Sequence, residues 1–349
     1  MKTAVITLNF GEPSEATREA VVPFLERIFV NNASLEDFED EEAMRARSRA
    51  LAERRAPGLL EEYRQIGGSP LNRQAEAHAE ALEGELRARG LDADVLVGMQ
   101  FTEPSIPATV DRAREAGAER VVGLPVYPLC GESTTVAALR ELALAVAERD
   151  WDVPLHEISG WHRHPGYLEI RADAIRAVLS EEGLTPGRDG TELVFSAHGT
   201  PLRYIQGGNR YRAYVHDVCE SLAEALGTEA WTLGYQNHSN RDIPWTQPDI
   251  EDVVADVDAD RVVVDPVSFM HEQSETLSEL DVELREEAEE RGLGFHRVPI
   301  PHDDERFPGV LADLVEAALG TGTDRGFRLH RCRCRPSPGT RCLNGATTG

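Results

Sequence analysis

ELVFSAHGTP, residues 192–201, runs an apolar segment straight into a small, polar, turn-forming cluster. Leu193, Val194 and Phe195 read as a buried parallel strand, and residues 196–201 as the loop at its carboxyl end. In open α/β sheets ligands gather at that end of the strands. His198 therefore stands where chemistry is expected, held by a rigid strand among residues too small to bury it. The plain alternative is a hydrogen-bonded packing histidine.

A second strand end adds to the first. In RVVVDPVSFMHEQSETLSELDVE, residues 261–283, three valines again make an apolar run, and the helix that follows carries Glu275, Glu279 and Glu283 at four-residue spacing. That spacing makes one acidic stripe. Like charges at i and i+4 weaken a helix, so a stripe without interleaved Lys or Arg needs either solvent or a cation against it.

Around these two stretches the chain keeps a βα rhythm. A strand over 3–8 leads through a loop at 9–13 into a helix over 17–29, without the GxGxxG fingerprint of a dinucleotide site. Residues 36–55 are charged and helix-prone, ending at Arg54-Arg55-Ala56-Pro57, and a turn-rich break at 66–71 precedes a helix over 73–89. Strands over 93–98 and 120–124 are each followed by a helical run, beginning near Pro104 and Ser133. The loop over 125–135 holds Tyr127 and Cys130 and ends in Ser133, Thr134 and Thr135, hydroxyls suited to helix capping. The pattern is interrupted over 150–165, a helix over 167–179 opens a second series, and strands recur over 192–196, 230–235, 261–265 and 294–299.

The expected fold is α/β, with two Rossmann-like or flavodoxin-like domains, each a parallel sheet flanked by helices. We divide the chain into residues 1–160, residues 161–320 with a last helix over 307–319 that can pack back on the first half, and a Gly, Arg and Cys rich tail over 321–349 without a packing pattern. The two sets of strand ends are then expected to face each other across a cleft.

Composition narrows the partners. Among 349 residues, 62 are acidic and 36 basic, giving a net charge of −26, and Lys2 is the only lysine. So acidic a surface repels nucleic acid and anionic lipid. No apolar run approaches the roughly 20 residues of a membrane helix, and MKTAVITLNFGEP enters a strand without a signal-peptide pattern. Cytoplasmic residence follows as an expectation, with peripheral membrane contact left open; nothing in the pattern specifies an oligomer. Five cysteines, an odd number, argue against a disulfide framework. Cys219 reads as core, whereas Cys332, Cys334 and Cys342 form C-x-C-x7-C.

Over residues 2–319 the chain resembles the ferrochelatases, which insert ferrous iron into a porphyrin to make haem. SAHG at 196–199 is similar to that family's catalytic-histidine motif, and ETLSELDVE at 275–283 to its acidic helix. RRAPGLLEEYRQIGGSPL at 54–71 and YPLCGESTT at 127–135 are similar to its porphyrin-binding segments. Trp231, Tyr235-Gln236 and Pro244-Trp245 fall in family order. The resemblance implies a chelatase-like fold, His198 nearest the pyrrole nitrogens, Glu275 facing it, Glu279 and Glu283 continuing a carboxylate line, and metal held by His198, Glu275, Glu279 and Glu283. It implies that Arg54, Arg55, Tyr63 and Ser69 bind propionates or line the pocket mouth, that Phe10, Tyr127 and Trp245 contact the ring, and that Ser133 and Thr134 belong to a porphyrin-binding segment. It also implies a π turn in the acidic helix, which would align the carboxylates more closely.

The residue types suit the chemistry. An imidazole that titrates near neutrality can take a pyrrole proton, a carboxylate can stabilise the imidazolium, and a ladder of hard oxygens can pass a hydrated ion or protons in short steps. Departures and finer likenesses both bear on the site. Glu272-Gln273 occupies the place of the family's Asp-His pair, with His271 displaced, so a supporting hydrogen bond is expected to be altered or relocated. Asn9-Phe10 resembles enzymes acting on protoporphyrin IX more than those acting on coproporphyrin III, where Tyr is common. The family resemblance further implies a [2Fe-2S] cluster on Cys130, Cys332, Cys334 and Cys342, although Cys130 lies two positions before the usual place, which Glu132 occupies. Four thiolates also suit zinc. The competing readings are a cobalt or nickel chelatase of a sirohydrochlorin-type ring, whose active sites commonly hold more than one His, and a porphyrin or haem carrier without catalysis.

Overall fold

The computed structural model describes residues 1–238, 242–321, 326–333, 335, 337 and 339–344. The chain clusters into two units, the first formed by Met1–Pro13, Leu71–Tyr167 and His302–Gly349, the second by Ser14–Pro70 and Leu168–Pro301. Residues 14–70, allotted above to the first half, thus group with the second unit, and the carboxyl-terminal helix and tail with the first.

In the first unit the strands are β1 (Thr3–Asn9), β2 (Ala93–Met99), β3 (Arg120–Pro125) and β4 (Leu155–Ile158), in the order β2-β1-β3-β4 and all parallel. Every residue of β1 is buried, which requires helices on both faces. Ala4, Ile6 and Leu8 pack against Ile106, Val110, Leu139 and Leu142, and helices Leu71–Ala88 and Phe307–Leu319 contact the sheet and each other. Strand β4 falls inside the stretch that reads as an interruption. It has only four residues, of which Glu157 and Ile158 are buried, too few to write a periodic signal.

The tail is a correction to the sequence reading. β9 (His330–Arg331) and β10 (Thr340–Cys342) extend this sheet, β10 parallel to β4 and β9 antiparallel to β10, so the sheet is mixed rather than purely parallel. What holds the tail is polar, which explains the missing apolar pattern. Glu157, 3% exposed, accepts from Thr340 Oγ1 at 2.7 Å and Ser337 Oγ at 3.1 Å and pairs with Arg335 at 2.6 Å. The backbone adds Ser159 N to Arg341 O at 2.8 Å and Leu343 N to Gly160 O at 3.0 Å. Cys334 lies outside the described residues.

The second unit holds β5 (Thr191–His198), β6 (Trp231–Gln236), β7 (Arg261–Pro266) and β8 (Gly294–Arg297), ordered β6-β5-β7-β8 and all parallel. Helix Glu41–Ile66 also belongs here and runs straight through Pro57, where the sequence reading ended a segment. Leu51, Ala52 and Ala56 before the proline and Leu59 and Tyr63 after it bury one continuous face. At about 1.5–3 kcal/mol for each large apolar side chain, that burial offsets the roughly 3 kcal/mol a mid-helix proline costs. Asp40 caps the start, accepting from Ala43 N at 2.8 Å, and Gly67 at φ 75° ends the helix in the left-handed region. Among the described residues no helix is long and apolar enough to cross a membrane.

Under the site-bearing strands lies one fully buried ion pair, Arg171 Nη2 to Asp265 Oδ1 at 2.6 Å, both side chains 0% exposed. Arg171 also reaches the Phe269 carbonyl at 3.4 Å, so it ties the end of β7 to the loop leading into the acidic helix. Burial raises the Asp265 carboxyl, and Arg171 offsets part of that rise. Removing the cation alone leaves a buried, uncompensated carboxylate. Arg171→Met is therefore expected to lower unfolding free energy by about 3–5 kcal/mol, and a further Asp265→Leu to restore most of it, read by urea denaturation of the three proteins.

Candidate active site

β5 delivers His198 at its last position, and four hydrogen bonds fix the backbone and ring. The His198 amide donates to Ser268 Oγ at 2.8 Å, and its carbonyl accepts from Tyr211 Oη at 3.0 Å. The next residue has to be glycine, since a Cβ on Gly199 would overlap Asn237 Oδ1 and lie 2.8 Å from the Gln236 carbonyl oxygen. That tight approach lets Gly199 N donate to the Gln236 carbonyl at 2.7 Å. His198 Nδ1 lies 2.6 Å from the Gly199 carbonyl, and because a carbonyl only accepts, Nδ1 carries the proton and Nε2 is left as the acceptor.

That Nε2 faces a residue the sequence reading passed over. His238, two residues beyond β6, places its Nε2 at 3.2 Å from His198 Nε2, with ring centroids 5.1 Å apart. Ligand atoms of His198, His238 and Glu275 all lie within 4.8 Å of one another. Burial, with the neighbouring His198 and Arg55 charges, lowers the His238 imidazole to about 3. The available signal was topological: β6 pairs with β5, so its carboxyl end reaches the same edge.

Glu275 opens a π-helix, Glu275–Leu284, in place of the ordinary helix its spacing suggests. Wider turns bring residues four apart closer to one line, and the row runs outward from half-buried Glu275 and Glu279 to exposed Glu283. Gln236, 2% exposed, orients the upper part: its amide oxygen accepts from Ser196 Oγ at 2.9 Å, while its nitrogen donates to the Glu275 carbonyl at 2.9 Å and to Glu279 Oε2 at 3.0 Å. The supporting hydrogen bond put in question by Glu272-Gln273 is present in another form. Gln273 Nε2 donates to Glu275 Oε2 at 2.9 Å, and Ser274 Oγ donates to the same oxygen at 3.0 Å. Glu272 turns away to Arg297, Thr276 and the Ile300 amide.

The remaining expected residues divide between the units. Arg55 is in the second unit and pairs with Glu62 at 2.7 Å, close enough to Glu275 and Glu279 to feel their charge. Arg54 and half-buried Ser69 share that unit, and Tyr63 is buried at 1% exposure in the packed face of its helix. Trp245 sets its ring edge-on to His238, with centroids 5.8 Å apart. Phe10, Tyr127, Ser133 and Thr134 belong to the first unit, where Phe10 packs on Phe101 and Tyr127 Oη donates to Gln100 Oε1 at 3.1 Å. Ser133 and Thr134 lie inside a second π turn, Glu132–Val136, beyond its capping position. Cys130, Cys332 and Cys342 are all buried in the first unit.

The ferrochelatase family model matches residues 2–319. Ferrochelatases of Synechococcus sp. (strain RCC307) and Nostoc punctiforme are each 34% identical over 335 residues, covering 91% of this chain and 83% and 82% of theirs. Among solved structures, SirB from Bacillus subtilis with Fe3+ superposes with a TM-score of 0.55 at 9% identity, covering 91% of this chain and 96% of that one, a likeness of fold alone. A family match over this length, on a strand-end histidine opposed by an acidic π-helix, makes the chain a member of the ferrochelatase family.

Proposed function

We propose that this protein inserts ferrous iron into a porphyrin, with protoporphyrin IX preferred to coproporphyrin III, and that His198 and Glu275 carry the reaction. The observation behind this reading is their convergence: an imidazole whose acceptor nitrogen is fixed by Gly199, beside a carboxylate fixed by Gln273 and Ser274. Metallation releases two pyrrole N–H protons and strips water from the ion. His198 Nε2 takes a pyrrole proton, and Glu275 stabilises the imidazolium that results. Glu279 and Glu283 supply further hard oxygens leading to solvent, by which a hydrated ion enters or protons leave in short steps. The preference for protoporphyrin rests on Phe10, an aromatic without a hydroxyl. A carrier would have no use for this carboxylate row, which disfavours a non-catalytic role.

The tail thiols support a second part of the reading. Cys342 ends β10, Cys332 N donates to the Thr340 carbonyl of that strand at 2.9 Å, Ser159 Oγ donates to Cys332 Sγ at 3.1 Å, and a Cβ at Gly160 would lie 3.1 Å from the Cys130 Cβ. Burial lowers the Arg335 guanidinium, and the Cys332 and Cys130 thiols lie close enough to act on it. Buried thiols from loop and tail, two of them beside one cation, suit a [2Fe-2S] cluster held by Cys130, Cys332, Cys342 and Cys334. Iron insertion transfers no electrons, so such a cluster would serve to fasten the tail to its strand.

Three outcomes test these assignments. His198→Ala is expected to lower turnover at least about 100-fold while porphyrin binding stays measurable, read by anaerobic absorbance with ferrous iron; retained turnover removes His198 from the mechanism. Protein purified without oxygen is expected to show sulfide and visible charge-transfer absorption that Cys342→Ser abolishes, and their absence from the unaltered protein excludes the cluster. For the carboxylate row the sign follows from burial, which with the neighbouring Glu275 raises Glu279 well above the ordinary value of 4.5. Folded protein then holds a proton that unfolded chain has released, so stability falls as pH rises from 4.5 through the raised value. Glu279→Gln is expected to melt at a higher temperature than the unaltered protein at neutral pH, with the gap closing below pH 4.5.

A further inference from the structure

We propose that His238 is a third metal-binding side chain, so that the incoming divalent cation is held by two imidazoles and one carboxylate, His198, His238 and Glu275, before it passes to the porphyrin and frees His198 Nε2 for a pyrrole proton. The inference rests on the reading above that this site handles a divalent ion, and it names the donor set that receives it. Three observations carry it.

The first is spacing. A tetrahedral ion with metal–nitrogen bonds of about 2.0–2.1 Å holds adjacent nitrogens about 3.4 Å apart. His198 Nε2 and His238 Nε2 are already 3.2 Å apart, and a Glu275 oxygen lies within 4.8 Å of both.

The second is the orientation of the far nitrogens. Imidazoles that bind metals usually direct their other N–H at a carbonyl or carboxylate, which fixes the tautomer. His198 Nδ1 meets the Gly199 carbonyl at 2.6 Å, and His238 Nδ1 faces Glu279 Oε1 at 3.9 Å, beyond the reach of a direct hydrogen bond. With both protons on Nδ1, two lone-pair nitrogens lie 3.2 Å apart, an arrangement that a cation bound to both, off the line between them, turns from repulsive to attractive. The competing arrangement has His238 Nε2–H donate to His198, which needs no metal.

The third is rigidity. His238 lies between the rings of His198 and Trp245, and Trp245 is itself held to Pro201 by an antiparallel bridge, so the ring is set by packing on two sides. A donor set of two imidazoles and one carboxylate favours ions such as Fe2+, Co2+, Ni2+ and Zn2+ over Mg2+ or Ca2+, which prefer oxygen alone. His238 thereby becomes a residue that decides which cation is taken up.

The test titrates Co2+ into porphyrin-free protein, following the visible absorption of the bound ion, for the unaltered chain, His238→Ala and His238→Gln. Circular dichroism confirms folding, with the Gln variant standing in where Ala fails to fold. Both substitutions are expected to weaken Co2+ binding about 10-fold or more and to raise KM for the metal in proportion, with porphyrin affinity unchanged. Unchanged Co2+ affinity in a folded variant overturns the inference, and the iron-insertion function still stands if the unaltered protein metallates porphyrin. Conversely, Co2+ binding that depends on His238 in a protein unable to metallate porphyrin supports the third ligand and removes the function.

Discussion

One amide holds the chemistry of the second unit in place. Gln236 sits at the end of β6 with both ends of its side chain committed, its oxygen to Ser196 on β5 and its nitrogen to the first turn of the acidic π-helix and to Glu279. The sheet and the helix could each form without it. Their register to one another, which decides whether Glu275 stands opposite His198, depends on this 2% exposed group having no other partners to choose. Its neutrality matters as well, because it donates to the Glu279 carboxylate without adding a charge to the row.

The π-helix resolves a conflict written into the sequence. Three glutamates on one helical face repel, and ordinary folding selects against a half-buried row of them. Here the row survives through partial compensation: Gln236, Gln273 and Ser274 donate at one end, Arg55 contributes positive charge nearby, and water reaches the other end at Glu283. The raised Glu279 carboxyl shows that the compensation is incomplete. Stability is given up locally so that the site retains an appetite for positive charge.

Much of this was legible. The strand ends at His198 and at residues 261–265 announced themselves because continuous valine-type runs against small polar turns have few other readings, and both fell where the sheet order needs them. The carboxylate row was visible as spacing, but its π geometry came from the family resemblance, since four-residue spacing fits either helix. Pro57 misled because local propensity was outweighed by apolar burial on both sides of it. β4 was too short to write a periodic signal, and the tail strands were invisible to periodicity because polar side chains such as Glu157, Arg335 and Thr340 hold them. His238 was missed for another reason: it lies past the end of its strand, and only the pairing of β6 with β5 reveals what it faces.

The short strands contributed by the tail have a consequence for solubility at high concentration. β10 covers the outer edge of β4, and without it the outer backbone groups of β4 would form an open template for another chain. β9, only two residues long and carrying Arg331, makes a poor template in its turn. β10 and β9, beyond the family match at residue 319, thus cover an edge that would otherwise invite edge-to-edge pairing.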